Sequence, residues 1–310
     1  MVANGRKNVA LLDALTKAAN PQGGWSYEPG KASRLEPTCW ALMARGLQPN
    51  HNRLDDSPHR KFFQSCQHPR GWLVEDASWP VNVAFNAVVA FTWVNRPDLT
   101  TEAQMTNLVD RLAAEKGVPL PQVPSYRQDN TLQGWSWLDA TFSWVEPTAW
   151  GLLALRKAMR AGLVAEGPAR ARIAEAERLL VDRSCRDGGW NFGNSNVLGQ
   201  DLFAHVPTTA VALLALQGRR DEPIVARSLA FLESNWADEP STFSLGLSMI
   251  CLQAHDRPVD AIADRLSSIV EQRLERSRSV DRGQQPQNFH SLAVALTALS
   301  LTADDATFRL

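Results

Sequence analysis

Two glutamates stand at the same place in a repeated phrase, Glu36 in Leu35-Glu36-Pro37-Thr38 and Glu146 in Val145-Glu146-Pro147-Thr148. Facing one another across an opening, they would make a general acid/base pair or a cation site. The plainer reading is electrostatic, because a carboxylate beside a helix N-terminus is favoured by roughly 0.3–1 kcal/mol. Lys31 and Arg34 precede the first glutamate, either as solvated loop charges or as a grip on an anion offered to helix N-termini. His205 and His290 head later apolar stretches, where a lone histidine ordinarily caps or packs.

The elements that must position these groups belong to an internal repeat. Gly23-Gly24-Trp25, Gly134-Trp135 and Asp187-Gly188-Gly189-Trp190 are each followed by Pro-Thr and an apolar run, at Pro37, Pro147 and Pro207. Glycine lets the backbone turn with positive φ while the indole braces the corner. Proline suits the first helical position, and the residue before it is pushed to an extended conformation. Glu36, Glu146 and Val206 are therefore expected to be the last residues outside their helices. A second copy turns at Gly71-Trp72 and continues from Val83 to Phe91, with Asn82 where the first and third copies carry glutamate. Weaker fifth and sixth copies run through Leu245–Gln253 and, after Gln287-Asn288-Phe289-His290-Ser291, Leu292–Leu299.

Before each apolar run lies a more polar, amphipathic segment: 8–19, 59–67, 101–116, 168–183, a stretch from Ala226, and about 258–276. The pattern predicts six helical hairpins whose second helices are buried on every side. An open array of such hairpins needs polar end caps, whereas a ring needs none. The expected fold is all-α, an α/α toroid closed as a double-walled barrel, forming one domain over 1–310, with the Gly-Trp and Glu-Pro-Thr loops at one mouth. An insertion from Gly117 to Asn130, holding Pro119, Pro121 and Pro124, is a rim loop or a lid.

Composition narrows the function. The 310 residues are 44% hydrophobic and carry a net charge of −1 with no long run of one sign, so no nucleic-acid partner is expected. No apolar run is long enough to span a bilayer, and no signal-peptide core is visible. Cys39, Cys66, Cys185 and Cys251 are widely separated, which points to a reduced, cytoplasmic protein.

The repeat resembles that of the terpenoid cyclase and protein prenyltransferase superfamily, which includes squalene-hopene cyclases and whose fold is an α/α toroid. The Gly-Gly-Trp corners, Leu180, Cys185-Arg186-Asp187, Phe63, Gln67 and the Pro-Thr helix starts carry that likeness. Against the cyclase acid motif Asp-x-Asp-Asp, this chain offers only Arg53-Leu54-Asp55-Asp56 in a polar loop. Against the prenyltransferase pattern, Lys31 and Arg34 match the basic pair and Cys39 the cysteine ligand, while Pro37 replaces its aspartate. His290 matches the histidine by its place in a repeat, though in the sixth unit; the unit after the cysteine has Val83 there. The resemblance thus implies zinc or magnesium as candidate cofactors and Glu36, Cys39 and His290 as candidate metal ligands.

The expected function is the handling of a prenyl or terpenoid molecule in the barrel mouth, the reaction being unspecified. Candidate substrate contacts are Lys31, Arg34, Asn82, Trp144 and His205, and the candidate catalytic groups are Glu36 and Glu146. Rival readings are a non-catalytic scaffold toroid, marked by exposed apolar surface, and a six-hairpin carbohydrate-active enzyme using two carboxylates. Whether a partner subunit completes the site is left open.

Overall fold

The computed structural model describes residues 2–123, 127–279 and 288–310. Pro124 of the insertion and Gln287 ahead of the sixth apolar helix lie outside the described residues. Among those described, twelve α-helices alternate polar and apolar. In chain order the pairs are α1 (Val2–Lys17) and α2 (Leu35–Gly46), α3 (Ser57–Ser65) and α4 (Val83–Asn95), α5 (Glu102–Ala114) and α6 (Val145–Arg160). They continue as α7 (Glu166–Asp182) and α8 (Val206–Ala215), α9 (Pro223–Asn235) and α10 (Thr242–Ala254), α11 (Asp260–Ser279) and α12 (Phe289–Ser300). A short antiparallel hairpin, β1 (Asn196–Val197) and β2 (Gln200–Asp201), precedes α8. The chain divides into two compact units, Met1–Ser65 with Trp236–Asp305, and Cys66–Asn235 with Ala306–Leu310.

In the first unit α12 packs between α10 and α2, α1 lies against α12 and α2, and α11 covers α10 and α12. Every residue of α2 from Pro37 to Arg45 and of α10 from Ser244 to Leu252 is buried, as the all-round apolar sequence requires. The buried Arg45 guanidinium is matched by Asp56 at 2.8 Å, so neither charge is left uncompensated. In the second unit α6 packs between α4 and α8, with α5 and α7 against α6 and α9 against α8. Its last residues tuck in as well. Phe308 is buried beside Phe91, and Gln217 donates to the Phe308 carbonyl at 2.7 Å.

Three corners are hydrogen-bonded in the same way. The backbone N–H of Trp25, Trp135 and Trp190 donates to the hydroxyl of Thr38, Thr148 and Thr209 at 2.9, 3.0 and 2.9 Å. Each indole N–H donates to a carbonyl of the preceding polar helix, at Leu15, Leu112 and Leu180. Each tryptophan carbonyl accepts from the N–H of Arg34, Trp144 or His205. One residue therefore ties an outer helix, a turn and the next inner helix together. The glycines are required by space: Gly23 has φ 96°, and a Cβ there would lie 2.0 Å from the Pro58 carbonyl oxygen.

These bonds correct two sequence expectations. The inner helices begin before the prolines, at Leu35, Val145 and Val206, so Glu36 and Glu146 are second helical residues and Val206 is a first, not residues outside the helix. Proline is tolerated throughout the first turn because the first four N–H groups have no intrahelical partner, and its position alone does not mark the start. The register of two copies also moves. In the second, Asn86 takes the threonine's part by bonding both N–H and carbonyl of Leu73, at 2.8 and 2.9 Å, so Leu73 rather than Trp72 occupies the corner. In the fourth, Thr209 rather than Thr208 fills the place of Thr38.

Candidate functional site

All six inner helices open in one register. The N–H of Thr38, Asn86, Thr148, Thr209, Leu245 and Leu292 donates to the carbonyl of Arg34, Asn82, Trp144, His205, Ser241 and Asn288 respectively. Those six acceptors are the N-cap residues of α2, α4, α6, α8, α10 and α12. Four of the five expected substrate contacts, Arg34, Asn82, Trp144 and His205, thus share one structural position. Asn82 aligns with them, and not with the glutamates as the repeat had suggested. The second helical residues, counted the same way, are Glu36, Ala84, Glu146, Pro207, Phe243 and His290.

In the first unit three of these second residues meet. His290 Nε2 lies 3.6 Å from Glu36 Oε1, and the Phe243 ring sits 4.9 Å from the imidazole. Tyr27, two residues past the corner tryptophan, donates its hydroxyl to Glu36 Oε2 at 2.5 Å and packs edge-on to His290 at 5.6 Å. Its carbonyl accepts the N–H of Phe289 at 2.9 Å, which fixes the Tyr27 loop to the head of α12. Trp40, one turn into α2, adds an edge contact to His290 at 6.3 Å. The result is one carboxylate and one imidazole among three aromatic rings.

Burial sets the electrostatics of this cluster. His290 is 7% exposed, and desolvation holds its imidazole below the ordinary histidine range despite the opposing pull of Glu36. Its Nε2 is buried and has no hydrogen-bond partner, since 3.6 Å to Glu36 is too long for one. The Glu36 side chain is 13% exposed, with Tyr27 and His290 as its polar neighbours. Such an arrangement can offer a carboxylate oxygen and an imidazole nitrogen, side by side, to one hydrogen-bond donor or positive charge, or pass a proton through either.

The remaining candidates do other things. Asn82 Oδ1 accepts the Phe85 N–H at 2.8 Å, an ordinary N-cap. Trp144 packs on Phe142 at 4.9 Å, and the exposed His205 ring lies 4.9 Å from Phe192. Lys31 is an exposed loop residue, and Arg34 is half-buried at the N-cap of α2 with its backbone paired to Trp25. Glu146 is half-buried in the first turn of α6, in the unit that does not contain Glu36.

The expected three-ligand metal centre does not form. Glu36 and His290 approach, but Cys39 is wholly buried in the α2 wall, and among the described residues no group of three or more His, Cys, Asp or Glu is placed to hold a metal. The four cysteines are buried thiols. Burial raises the Cys185 and Cys251 thiols above their ordinary range, which keeps them protonated and unreactive. No helix among the described residues is long and apolar enough to cross a membrane.

Comparison with solved structures gives the architecture its relatives. The type II terpene cyclase MstE from Scytonema, in its apo form, superposes with a TM-score of 0.57 over 96% of this chain and 97% of its own, at 14% identity. The fold is an α/α toroid. A single-substitution variant of the same Scytonema cyclase superposes with a TM-score of 0.54 over 96% of both chains, at 13% identity. No family model matches this toroid's sequence, and no curated protein matches it either.

Two residues of the cluster, Tyr27 and Phe243, were missed as functional candidates in the sequence. A signal for Tyr27 exists: three of the four Gly-Trp corners carry an aromatic two residues on, at Tyr27, Trp137 and Phe192, whose carbonyl accepts the first N–H of an inner helix, at Phe289, Val83 and Val145. Phe243 follows only from counting the helix register, because the fifth copy lacks a Gly-Trp corner.

Proposed function

We propose that this toroid handles an isoprenoid or other terpenoid molecule, and that its reacting or binding end meets the cluster at the heads of α10, α12 and α2. The observation that carries this reading is the half-buried Glu36 carboxylate, which accepts from Tyr27 and faces His290, whose imidazole packs against Tyr27, Trp40 and Phe243. Aromatic surroundings suit a hydrocarbon chain, and a few convergent polar groups fix its orientation. The structural likeness to a terpene cyclase supports the same substrate class. Glu36 is the group we assign to any proton transfer or charge stabilisation at the site. Lys31, in the loop leading to α2, and Arg34, at its N-cap, are the cations we assign to contact with an anionic headgroup.

The test is a thermal-shift panel of squalene, farnesol and farnesyl diphosphate, with and without Zn²⁺ or Mg²⁺, on the whole chain. Stabilisation by at least one isoprenoid that is lost in Phe243→Ala supports the reading. Absence of any shift at concentrations that saturate a micromolar site overturns it. Dependence of the shift on Zn²⁺ would reinstate a metal that the residues described above do not by themselves hold.

A scaffold role has its own observation. Leu198, Phe203 and Phe192 are 79%, 89% and 54% exposed on the segment around the β1–β2 hairpin. That segment spans 15 positions from Trp190 to His205, against 9 from Trp25 to Arg34 and 9 from Trp135 to Trp144. The six additional residues correspond in number to the hairpin, and with Leu198 at its tip and Phe192 and Phe203 on either side the segment carries apolar side chains into solvent, as an interaction surface would. A Phe203→Ser change that alters the mass measured by light scattering, with the isoprenoid shift unchanged, would establish that surface as separate from the ligand site.

A further inference from the structure

The groups gathered at the heads of α10, α12 and α2 all favour one sign of charge. Glu36 is a carboxylate with a side chain 13% exposed, and among the described residues no ammonium or guanidinium group pairs with it. Its polar neighbours are a phenol and an imidazole held neutral by burial. Tyr27 satisfies one carboxylate oxygen; the other faces His290 Nε2 across 3.6 Å, a gap too long for a hydrogen bond. That Nε2 is itself buried and without a partner. A carboxylate this enclosed is costly unless a positive charge or a proton accompanies it.

The surrounding rings add to the same preference. Tyr27, Trp40 and Phe243 stand around the imidazole at 5.6, 6.3 and 4.9 Å. Aromatic π systems attract cations, and do so most effectively for alkylated ammonium groups that shed water easily. A diphosphate brought to this point would meet a carboxylate and electron-rich rings. The helix N-termini favour an anion, but only by the modest amount that a first turn supplies.

Resting on the isoprenoid reading above, we infer that the ligand carries a cationic nitrogen, a protonated or alkylated amine, at the end that reaches Glu36. An amine approaching both Glu36 Oε1 and His290 Nε2 from one side, since they lie 3.6 Å apart, could share its N–H between the two acceptors. The alkyl substituents would lie against Tyr27, Trp40 and Phe243, and the apolar chain would continue away from them. Binding is non-covalent and involves no group transfer.

The test compares three probes on the whole chain by isothermal titration calorimetry at pH 7: dimethylfarnesylamine, farnesol and tetramethylammonium. The amine should bind about tenfold or more tightly than the alcohol of the same chain. In Glu36→Gln that preference should vanish, the amine and the alcohol binding about equally, and Phe243→Leu should weaken the amine more than the alcohol. Each variant is accepted only if its unligated unfolding midpoint matches the parent; if Glu36→Gln fails this, Phe243→Leu decides alone. Farnesol binding as tightly as the amine, or an amine preference that survives Glu36→Gln, overturns the inference and leaves the isoprenoid reading standing. Tetramethylammonium bound in a Glu36-dependent way with neither farnesyl compound bound would support the cation site and remove the isoprenoid. No binding by any of the three removes both.

Discussion

At the second residue of their inner helices the two units carry different chemistry: Phe243, His290 and Glu36 in one, Ala84, Glu146 and Pro207 in the other. The scaffold beneath is the same. Trp25 in the first unit and Trp135 and Trp190 in the second make the same three hydrogen bonds, and every inner helix closes its first turn onto its N-cap carbonyl. One position in a repeated frame therefore carries a polar cluster in one unit, and in the other a glutamate flanked in register by alanine and proline. The second unit spends its loops differently, on the insertion before Trp135 and on the apolar hairpin before α8. Repetition supplies the frame, and function follows from which residue occupies each equivalent place.

The largest expected effect tests whether the frame is shared. Trp25→Ala and Trp135→Ala each empty a fully buried corner and strip a buried leucine carbonyl of its donor, so each should cost about 3–5 kcal/mol in urea unfolding. A loss below about 1 kcal/mol for either one would break the equivalence of the two units.

Next in size is a pH effect confined to the first unit. His59 stacks on Trp25 at 4.2 Å, and its Nδ1 accepts the Gly24 N–H at 2.9 Å, which requires an unprotonated nitrogen. Burial first, and then the Arg45 charge, depress its pKa from 6.5 to about 4. Between those values the unfolded chain binds more protons than the folded one, so stability rises with pH. The contribution is fully present above pH 6.5 and is lost as pH falls toward 4, by up to about 3 kcal/mol. His290, also depressed, acts in the same direction. Urea midpoints measured from pH 4 to 7.5 should show this slope, and His59→Gln should flatten it.

A smaller effect separates the corner's hydroxyl from its ring. Thr38→Val, Thr148→Val and Thr209→Val each remove the acceptor for a buried tryptophan N–H while keeping the shape, and should each cost about 1–3 kcal/mol. Similar values in the three copies would confirm that they are one motif. A much smaller loss at Thr38 alone would show that the first unit's corner is braced by other means.

These comparisons also show what a linear sequence can and cannot reveal. The six pairs of helices were legible because Gly-Trp corners and apolar runs recur at regular spacing, and even the weak fifth and sixth copies fell where α9 to α12 lie. Helix starts were misread at Glu36 and Glu146 because proline fits any position of a first turn, not the first alone. The equivalence of Asn82 with Arg34 rather than Glu36 depends on which side chain bonds the corner backbone, and Asn86 hides that by replacing a threonine. At the site, Glu36 and His290 could be singled out by type, whereas Cys39 proved to be part of the wall. Tyr27 and Phe243 become visible only when the register brings α2, α12 and the post-corner loop together. Chemistry assembled from three copies of a repeat has no local motif.

The central claim is that ligand recognition belongs to the Glu36 cluster and not to its counterpart at Glu146. The most direct measurement is the isoprenoid-induced rise in unfolding temperature for the parent chain, Glu36→Gln and Glu146→Gln, using dimethylfarnesylamine as the ligand. The account predicts a rise in the parent, nearly the same rise in Glu146→Gln, and a rise reduced to a small fraction in Glu36→Gln. A response that survives Glu36→Gln and disappears in Glu146→Gln would contradict it, and would move the site to the head of α6.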